Sequence, residues 1–335
     1  MSADEGRSHT REAIVLALAS PMIAELLSSS APPLQFFTYW VFALFVMFYG
    51  CAAVLIREVT VRWGSGWRGV LLLGAAFGIL DEGPAARAFF NPASPSLGQL
   101  TGRGFWLGVN WIWSVDAVLY HATFSAALPI LLVSVAFPQS RRQRWLRWRG
   151  LIAVAVLFGL GAAVFVGAQP KYPAPASYLT TCYALIAVLI FLASRASKPA
   201  APRLRPRWRS PWRFVAIGFL ATTALLLHIF VVPALVGSPA LIVAILIGVV
   251  VSTSRLLVSW TGGGEWWTDE QQCGLVVGAV GCLGILAFIH ELNPSRTYDA
   301  TGMAVVGAAT LAGLAWLWRR VGRTARAAQG TPVAG

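Results

Sequence analysis

Long apolar segments alternate with short polar ones along the whole chain. Ten of the apolar segments approach or exceed the roughly 20 residues that a helix needs to cross a bilayer. They cover residues 13–31, 35–56, 68–82, 107–137, 151–169, 178–194, 213–235, 239–258, 273–290 and 302–318. These segments lack the alternation of apolar and polar positions that marks strands, and lipid admits only helices or closed barrels. The pattern therefore predicts an all-α fold, a polytopic transmembrane helical bundle of about ten spans.

Composition supports a membrane protein and argues against a nucleic-acid-binding one. Of the 335 residues, 57% are hydrophobic and only 12% are charged, which is too apolar for a soluble domain of this length. The net charge of +13 could suit nucleic acid, but the arginines lie in short runs between apolar spans, as in membrane proteins. We therefore expect a multi-pass protein of the cell membrane (inner or plasma) and no nucleic-acid partner.

The basic residues also predict the orientation of the bundle. Only four of the 26 lysines and arginines fall on one side of the predicted spans, and 22 fall on the other. The four are Arg87, Arg103, Lys171 and Arg296. Because cytoplasmic loops carry the excess of positive charge, we expect both termini to be cytoplasmic.

A basic, proline-rich segment divides the predicted bundle. Residues 195–212 are expected to form an extended cytoplasmic linker between a six-span N-terminal part, 1–194, and a four-span C-terminal part, 213–335. This segment and the loop 141–150 combine arginines with tryptophans. Such loops are expected to contact the headgroups of anionic membrane lipids, and a protein partner, of unknown kind, is the alternative.

Seven ionisable residues fall in the half of the predicted spans that faces away from the cytoplasm. Ionisable groups inside a membrane are costly to bury and mark functional sites more often than chance. We therefore expect these residues to share one polar cavity that opens to the outside. They are Glu25, Asp81, Glu82, Asp116, His121, His228 and His290.

Spacing within the spans adds detail to this expectation. Helical periodicity places a narrow polar stripe along the fourth span, formed by Asn110, Ser114, Ala117, His121 and Ser125. In the third span, Gly83 and Pro84 are expected to break the helix, so that Arg87 could fold back onto Asp81 or Glu82.

The segment GILDEGPAARAFF, followed 39 residues after Glu82 by LYHATFS, resembles the first two motifs of the CPBP (Abi) intramembrane protease superfamily. That resemblance implies that Glu82 activates a water molecule, that Asp81 is its neighbour, that Arg87 is an orienting charge and that His121 is the second-motif histidine. His290 and Asn293 echo the third motif. PMIAELLSSSAPP, LDEGPAARAFFNP and GVNWIW also resemble segments of uncharacterised prokaryotic polytopic membrane proteins.

Three functional hypotheses remain open from the sequence. The first is a membrane-embedded hydrolase with Glu82 as general base, in which His121 stabilises negative charge together with His290 or His228. The second is a proton-coupled secondary transporter that uses Glu25, Asp116 and the histidines as a relay. The third is a non-catalytic lipid-binding or assembly subunit.

The candidate site residues of the first two hypotheses form two sets. The catalytic set is Glu82, His121, His290, Asp81 and Arg87, and the substrate-binding or relay set is Glu25, Asn110, Ser114, Asp116 and His228. No CxxC pair is present, so a thiolate metal site is not expected. No cofactor is predicted, although a Glu/His set could hold a divalent metal.

Overall fold

The computed structural model describes residues 9–169, 172–196, 207–264, 266–293 and 299–329, and these residues form a bundle of helices with one short hairpin. Seven of the helical segments are long and apolar enough to cross a membrane. They are Tyr39–Trp63, Trp111–Ala136, Trp148–Ala168, Ala176–Arg195, Pro211–Phe230, Pro239–Thr261 and Asp269–Leu292. The predicted helical membrane bundle is therefore confirmed.

The first half of the chain contains interrupted helices. The α-helical pieces are α1 (Thr10–Pro21), α2 (Pro33–Phe36), α3 (Tyr39–Phe45), α4 (Cys51–Trp63), α5 (Gly66–Leu80), α6 (Trp111–Tyr120) and α7 (Leu128–Ala136). Four π-helical segments continue or join them: π1 (Met22–Leu26), π2 (Val46–Gly50), π3 (Asp81–Ala85) and π4 (His121–Ala127). A 3₁₀ turn covers Pro95–Leu100.

The second half contains longer, uninterrupted helices. They are α8 (Trp148–Ala168), α9 (Ala176–Arg195), α10 (Pro211–Phe230), α11 (Val232–Leu235), α12 (Pro239–Thr261), α13 (Asp269–Leu292) and α14 (Met303–Gln329). Each of the ten predicted spans coincides with a helical stretch. Three of these stretches, α1 with π1, α5 with π3, and α14, fall outside the seven long apolar segments. The count of ten membrane crossings therefore stays a prediction.

The start of the fourth predicted span differs from the expected helix. Phe105–Trp106 (β1) pairs antiparallel with Val109–Asn110 (β2), so the helix begins only at Trp111. The two residues between the strands, Leu107 and Gly108, both have positive φ, 50° and 72°. Two positive-φ residues form the tight turn that suits the twist of a hairpin, and this turn chemistry overrides the apolar character of the segment.

The Gly83–Pro84 pair predicted a break in the third span, but the helix is not broken there. The helix continues from α5 through π3, and the amide of Ala86 donates to the carbonyl of Asp81 at 2.7 Å. A π-helical turn already departs from the regular hydrogen-bond ladder, so the missing N–H of Pro84 is accommodated there. The chain turns only after this point, at Arg87, which has a φ of 59°.

Glycines allow the helices that carry π-segments to approach closely. A Cβ atom on Gly50 would lie 2.1 Å from the carbonyl oxygen of Ala17, so π2 packs directly against the backbone of α1. On α5, a Cβ atom on Gly78 would lie 3.0 Å from the Cα of Val118. The small side of α5 therefore brings its C-terminal end against α6 and π4.

The two predicted parts of the chain share hydrophobic clusters. Phe124 and Leu128 of the N-terminal part pack in the same cluster as Leu225 and Val276 of the C-terminal part. The expected linker is described only at its ends, because residues 197–206 lie outside the described part of the chain. The division into 1–194 and 213–335 stays a prediction.

The segments expected at the cytoplasmic surface meet at one end of the bundle. The backbone of His9 donates to Trp145, Gln271 donates to the carbonyl of Arg209 at 2.8 Å, and the rings of Trp212 and Trp318 lie 5.1 Å apart. Segments from the other side meet at the opposite end, where Tyr178 donates to the carbonyl of Leu107 at 2.9 Å. The alternation of ends agrees with the predicted path of the chain, and the orientation itself still depends on the arginine count.

A buried charge network fastens the basic loop at the predicted inner end. Glu58 is fully buried, and Arg57 and Arg62 both donate to its carboxylate. The amides of Trp145 and Leu146 also donate to it, at 3.0 and 3.3 Å. Arg57 lies over the indole of Trp145 at 3.6 Å from the ring centroid. Every charge in this network has partners, which is what allows it to be buried.

Replacement of Gly50 by Ala tests the close contact between α1 and π2. We expect the unfolding free energy to fall by about 1–3 kcal/mol, because the new methyl group would overlap the backbone of α1. The measurement is thermal unfolding in detergent. Gly159→Ala is the matched control, since a Cβ atom there meets nothing within 4 Å. Equal stability of the two variants would contradict the packing described.

Candidate functional site

Each of the four π-helical segments contributes a polar side chain to one cluster. The contributions are Glu25 from π1, Tyr49 from π2, Asp81 and Glu82 from π3, and His121 from π4. Such segments are rare in proteins and occur frequently at functional sites. Because four of them converge on the same ionisable residues, this cluster is the candidate functional site.

His121 lies at the centre of the cluster. Its Nε2 atom is 3.5 Å from Oδ2 of Asp81 and 3.6 Å from Oε1 of Glu82. Its other ring nitrogen, Nδ1, lies 2.9 Å from the hydroxyl oxygen of Ser125, one helical turn later. The backbone carbonyl of Ser125 accepts a hydrogen bond from Ser20 of α1 at 2.7 Å. The imidazole is therefore oriented from one side and faces two carboxylates on the other.

The two carboxylates of π3 have different surroundings. Asp81 is 1% exposed, and its Oδ2 atom has no hydrogen-bond partner among the described residues. The side chain of Glu82 is 12% exposed, and its Oε2 atom accepts a hydrogen bond from the indole N–H of Trp113 at 3.1 Å. Glu82 is therefore the carboxylate that water or a substrate can reach, while Asp81 lies behind it.

Glu25 of π1 and Tyr49 of π2 extend the cluster. The ring of Tyr49 stacks on that of His121, with the ring centroids 6.0 Å apart. Glu25 is buried and interacts electrostatically with His121 and Glu82. The imidazole thus contacts two carboxylates and interacts electrostatically with a third, and such a group is stable only if at least one carboxylate shares a proton.

Aromatic rings close one side of the cluster. The ring of Phe77, one turn before Asp81, lies 6.0 Å from that of His121 and 5.2 Å from that of Phe48. Phe48 in turn stacks on Phe165 of α8 at 4.5 Å. These rings belong to the buried core or pack against it, so the polar cluster borders a closed apolar layer.

Arg87 does not pair with Asp81 or Glu82, and the sequence-based expectation for it is wrong. Its guanidinium donates instead to the backbone carbonyl of Tyr172, before α9. The physical reason is that the helix continues through π3. The chain turns only at Arg87, and its side chain is directed to the segment before α9. Arg87 thus fixes the end of π3 rather than the charge of the carboxylates.

Asn110 and Ser114 have local structural contacts. The side chain of Asn110 accepts from the amide of Trp113 at 3.1 Å and caps the N-terminus of α6. The Ser114 hydroxyl donates to the carbonyl of Asn110 at 2.7 Å. The polar stripe therefore divides in two, and only its C-terminal members, His121 and Ser125, face the cluster.

Asp116 and His228 form a second, separate buried pair. Oδ1 of Asp116 lies 2.9 Å from Nδ1 of His228, and both side chains are almost completely buried. Nε2 of His228 lies 2.9 Å from the carbonyl oxygen of Ile242, so it donates there. Oδ1 and Nδ1 are therefore in ion-pair contact, although their angles do not meet those of a hydrogen bond. The pair joins α6, α10 and α12.

The position of His290 in the catalytic set stays a prediction. It is buried in the last turn of α13, a helix that contributes no other residue to the cluster around His121. The single cavity expected to hold all seven ionisable residues stays a prediction, and the contacts that are described form two groups. Glu25, Asp81, Glu82 and His121 belong to one cluster, and Asp116 and His228 pair with each other.

The ligand sets do not favour a metal site. Within the described ranges, no group of three or more histidine, cysteine, aspartate or glutamate side chains is arranged to hold a metal ion. The contacts of Nε2 of His121 with two carboxylates, at 3.5 and 3.6 Å, instead suit proton exchange. A divalent metal, considered from the sequence, has no suitable set of ligands in this part of the chain.

Several residues of the site and of the inner network were not identified from the sequence. Tyr49 lies within an apolar span, and the only signal was a lone tyrosine next to Gly50. Trp113 was assigned no role, although its indole binds Glu82. Glu58 lies four residues before Arg62, a spacing that favours a helical ion pair, and this signal could have revealed the inner network.

A double-mutant cycle tests whether Asp116 and His228 act as a buried pair. We expect Asp116→Ala and His228→Ala each to lower the unfolding free energy by about 3–5 kcal/mol, because each leaves its partner buried and uncompensated. The double variant should lose less than the sum of the single losses, as measured by chemical unfolding in detergent. Strictly additive losses would show that the two side chains do not interact.

Comparisons with known proteins agree with the fold and give no activity. No curated protein and no solved structure matches the chain. A family model described as an uncharacterized membrane protein family matches residues 14–261, a range that contains both the cluster around His121 and the Asp116–His228 pair. Because this match covers most of the chain, the protein belongs to that uncharacterized membrane protein family.

Proposed function

We propose that the protein is a membrane-embedded hydrolase in which Glu82 is the general base. The observation that carries the proposal is the position of His121, whose Nε2 atom faces Asp81 and Glu82 while Ser125 orients Nδ1. A carboxylate and an oriented imidazole in contact form the acid–base set that hydrolysis of an acyl or related bond requires. The contacts of 3.5 and 3.6 Å are long, as catalytic contacts often are without a substrate.

The residues have distinct roles in this proposal. Glu82 takes a proton from a water molecule, which then attacks the electrophilic atom of the substrate. Nε2–H of His121 stabilises the negative charge that develops. The sequence analysis assigned this role to His121 together with His290 or His228. Trp113 holds one oxygen of Glu82 and leaves the other, Oε1, on the side of His121.

Two further features support a hydrolase. The aromatic layer at Phe77 and Phe48 closes one side of the cluster, which suits a site that is entered from one side only. The resemblance of the segments around Glu82 and His121 to the CPBP superfamily supports the same assignment. We infer that the site lies in the extracytoplasmic half of the bundle, in the inner or plasma membrane.

Glu82→Gln tests the proposal because it keeps the shape of the side chain and removes the base. The purified protein, reconstituted in liposomes made from the total membrane proteins and lipids of its host, should generate new peptide termini or lipid fragments detectable by mass spectrometry. We expect the rate to fall at least about 10²-fold in Glu82→Gln, the usual contribution of general acid–base catalysis.

Asp299→Asn is the matched control at the same predicted end of the bundle. Asp299 is exposed, and hydrogen bonds from the Thr301 side chain and amide lower the pKa of its carboxyl, so it has no reason to act as a base. The control should keep the activity of the unmodified protein. Unchanged product formation by Glu82→Gln, or no product from the unmodified protein, would overturn the proposal.

A second candidate function is favoured by Glu25. This buried carboxylate is not needed for hydrolysis at Glu82, yet it continues the row of ionisable groups through Tyr49 to Asp81 and His121. Rows of this kind carry protons in pumps and transporters. The candidate is a proton-coupled secondary transporter, with the described conformation closed on the side of Phe77.

Glu25→Gln separates this candidate from the first. In proteoliposomes with an entrapped pH-sensitive dye, a transporter predicts proton flux that the unmodified protein supports and Glu25→Gln abolishes. The relay would be interrupted because glutamine cannot release a proton. The control is Glu270→Gln, which removes a carboxylate in the first turn of α13 and should leave the flux unchanged. A flux of the unmodified protein no greater than that of empty liposomes would exclude the transporter.

A further inference from the structure

A groove opens toward the surrounding lipid between α10 and α12. It has a volume of about 800 Å³ and is lined almost entirely by apolar side chains. Small residues, among them Ala216, Ala221 and Gly248, create the space. None of the residues that line it belongs to the cluster around His121, so the proposed function gives it no role.

The groove has a basic and aromatic end. Arg213 and Trp260 line it where α10 begins and α12 ends. The guanidinium of Arg209 lies 5.9 Å from the centroid of the Trp260 ring, and Arg207 is exposed two residues earlier. Three arginines beside a tryptophan are typical of the level of the anionic headgroups at a cytoplasmic membrane surface.

The length of the groove matches one leaflet. From Arg213 it extends along α10 to Ala224, eleven residues or about 16 Å at 1.5 Å per residue. One half of a hydrocarbon core is about 15 Å thick. An acyl chain that begins beside the arginines would therefore run along the groove to about the middle of the bilayer.

We propose that this groove binds one anionic phospholipid of the cytoplasmic leaflet, with an acyl chain between α10 and α12 and the phosphate at Arg213. The charge of the arginines complements the phosphate, and the apolar lining matches the chain. Ser252 and Thr253 are the polar exceptions in the lining, and both can satisfy their hydroxyls on the helix backbone. The lipid would stabilise α12, whose apolar surface is mostly uncovered by protein.

Filling the groove provides the test. A Cβ atom at Gly248 meets nothing within 4 Å, so Gly248→Leu would occupy the groove without disturbing the backbone. Gly159→Leu on α8 is the matched control, since its position is equally open. The full-length proteins are placed in nanodiscs of phosphatidylcholine and phosphatidylglycerol, transferred to detergent and weighed with retained lipid by native mass spectrometry.

We expect the unmodified protein and Gly159→Leu to retain one phosphatidylglycerol molecule. The fraction of Gly248→Leu that retains this lipid should be lower by about tenfold or more. Arg213→Gln should lower the preference for phosphatidylglycerol over phosphatidylcholine about fivefold, in line with one arginine near an anionic surface. Arg149→Gln, at the exposed start of α8, should leave that preference unchanged.

Equal lipid retention by Gly248→Leu and Gly159→Leu would overturn the proposal. So would a change from dimer to monomer in Gly248→Leu with no change in retained lipid, because the groove would then hold a second copy of the chain. Retention that does not distinguish phosphatidylglycerol from phosphatidylcholine would remove the role of the arginines and contradict the proposed occupant.

Discussion

The contact between one imidazole and its surrounding carboxylates is the interaction on which the site depends. Charges cannot be left alone in the interior of a membrane bundle, where no bulk water compensates them. Asp81, Glu82 and Glu25 are acceptable there because His121 faces them and because protons can be shared among the group. Removal of any member therefore changes the balance for all the others.

The architecture serves this contact through two local devices. Glycines on α5 and π2 let helices approach to backbone distance, which brings π3 beside π4 and π2 beside α1. The π-helical segments then add an extra residue to a turn and shift the direction of the side chains that follow. In this way Asp81 and His121, which lie on different helices, come to face one another across a small gap.

The buried carboxylate of Glu58 and that of Asp81 differ in how completely they are hydrogen-bonded. At the predicted inner end, the Glu58 carboxylate receives hydrogen bonds from two arginines and two backbone amides, and its role is to hold the loop. Asp81 instead keeps an oxygen without a hydrogen-bond partner among the described residues. Incomplete satisfaction of a buried group is costly, and functional sites are where such a cost is retained.

Hydrophobic patterning was sufficient to predict the bundle and the approximate location of every long helix, because a helix that crosses a membrane must be apolar along its whole length. It also predicted that Asp81, Glu82 and His121 lie near each other. It could not predict the partner of Asp116, since the His228 side chain that meets it lies more than a hundred residues later in the chain. The π-segments were also invisible to it, because helical periodicity assumes a constant rotation per residue.

The same limit explains the role of Arg87. The sequence offered a glycine and a proline as a helix break, and a break would have returned Arg87 to the carboxylates. The structure instead absorbs Pro84 in π3 and ends the helix later, so Arg87 binds the carbonyl of Tyr172. Local turn chemistry suggested the wrong end point because tertiary packing against π4 keeps the helix intact.

The central claim is that His121 contacts both carboxylates of π3 within the bilayer. Solid-state NMR of the protein in lipid, with ¹⁵N-labelled histidine and ¹³C-labelled aspartate and glutamate, measures this most directly. The account predicts dipolar couplings from Nε2 of His121 to the carboxyl carbons of Asp81 and Glu82, consistent with nitrogen–oxygen contacts of 3.5 and 3.6 Å. A His121 ring with no coupling to either carboxyl would contradict it.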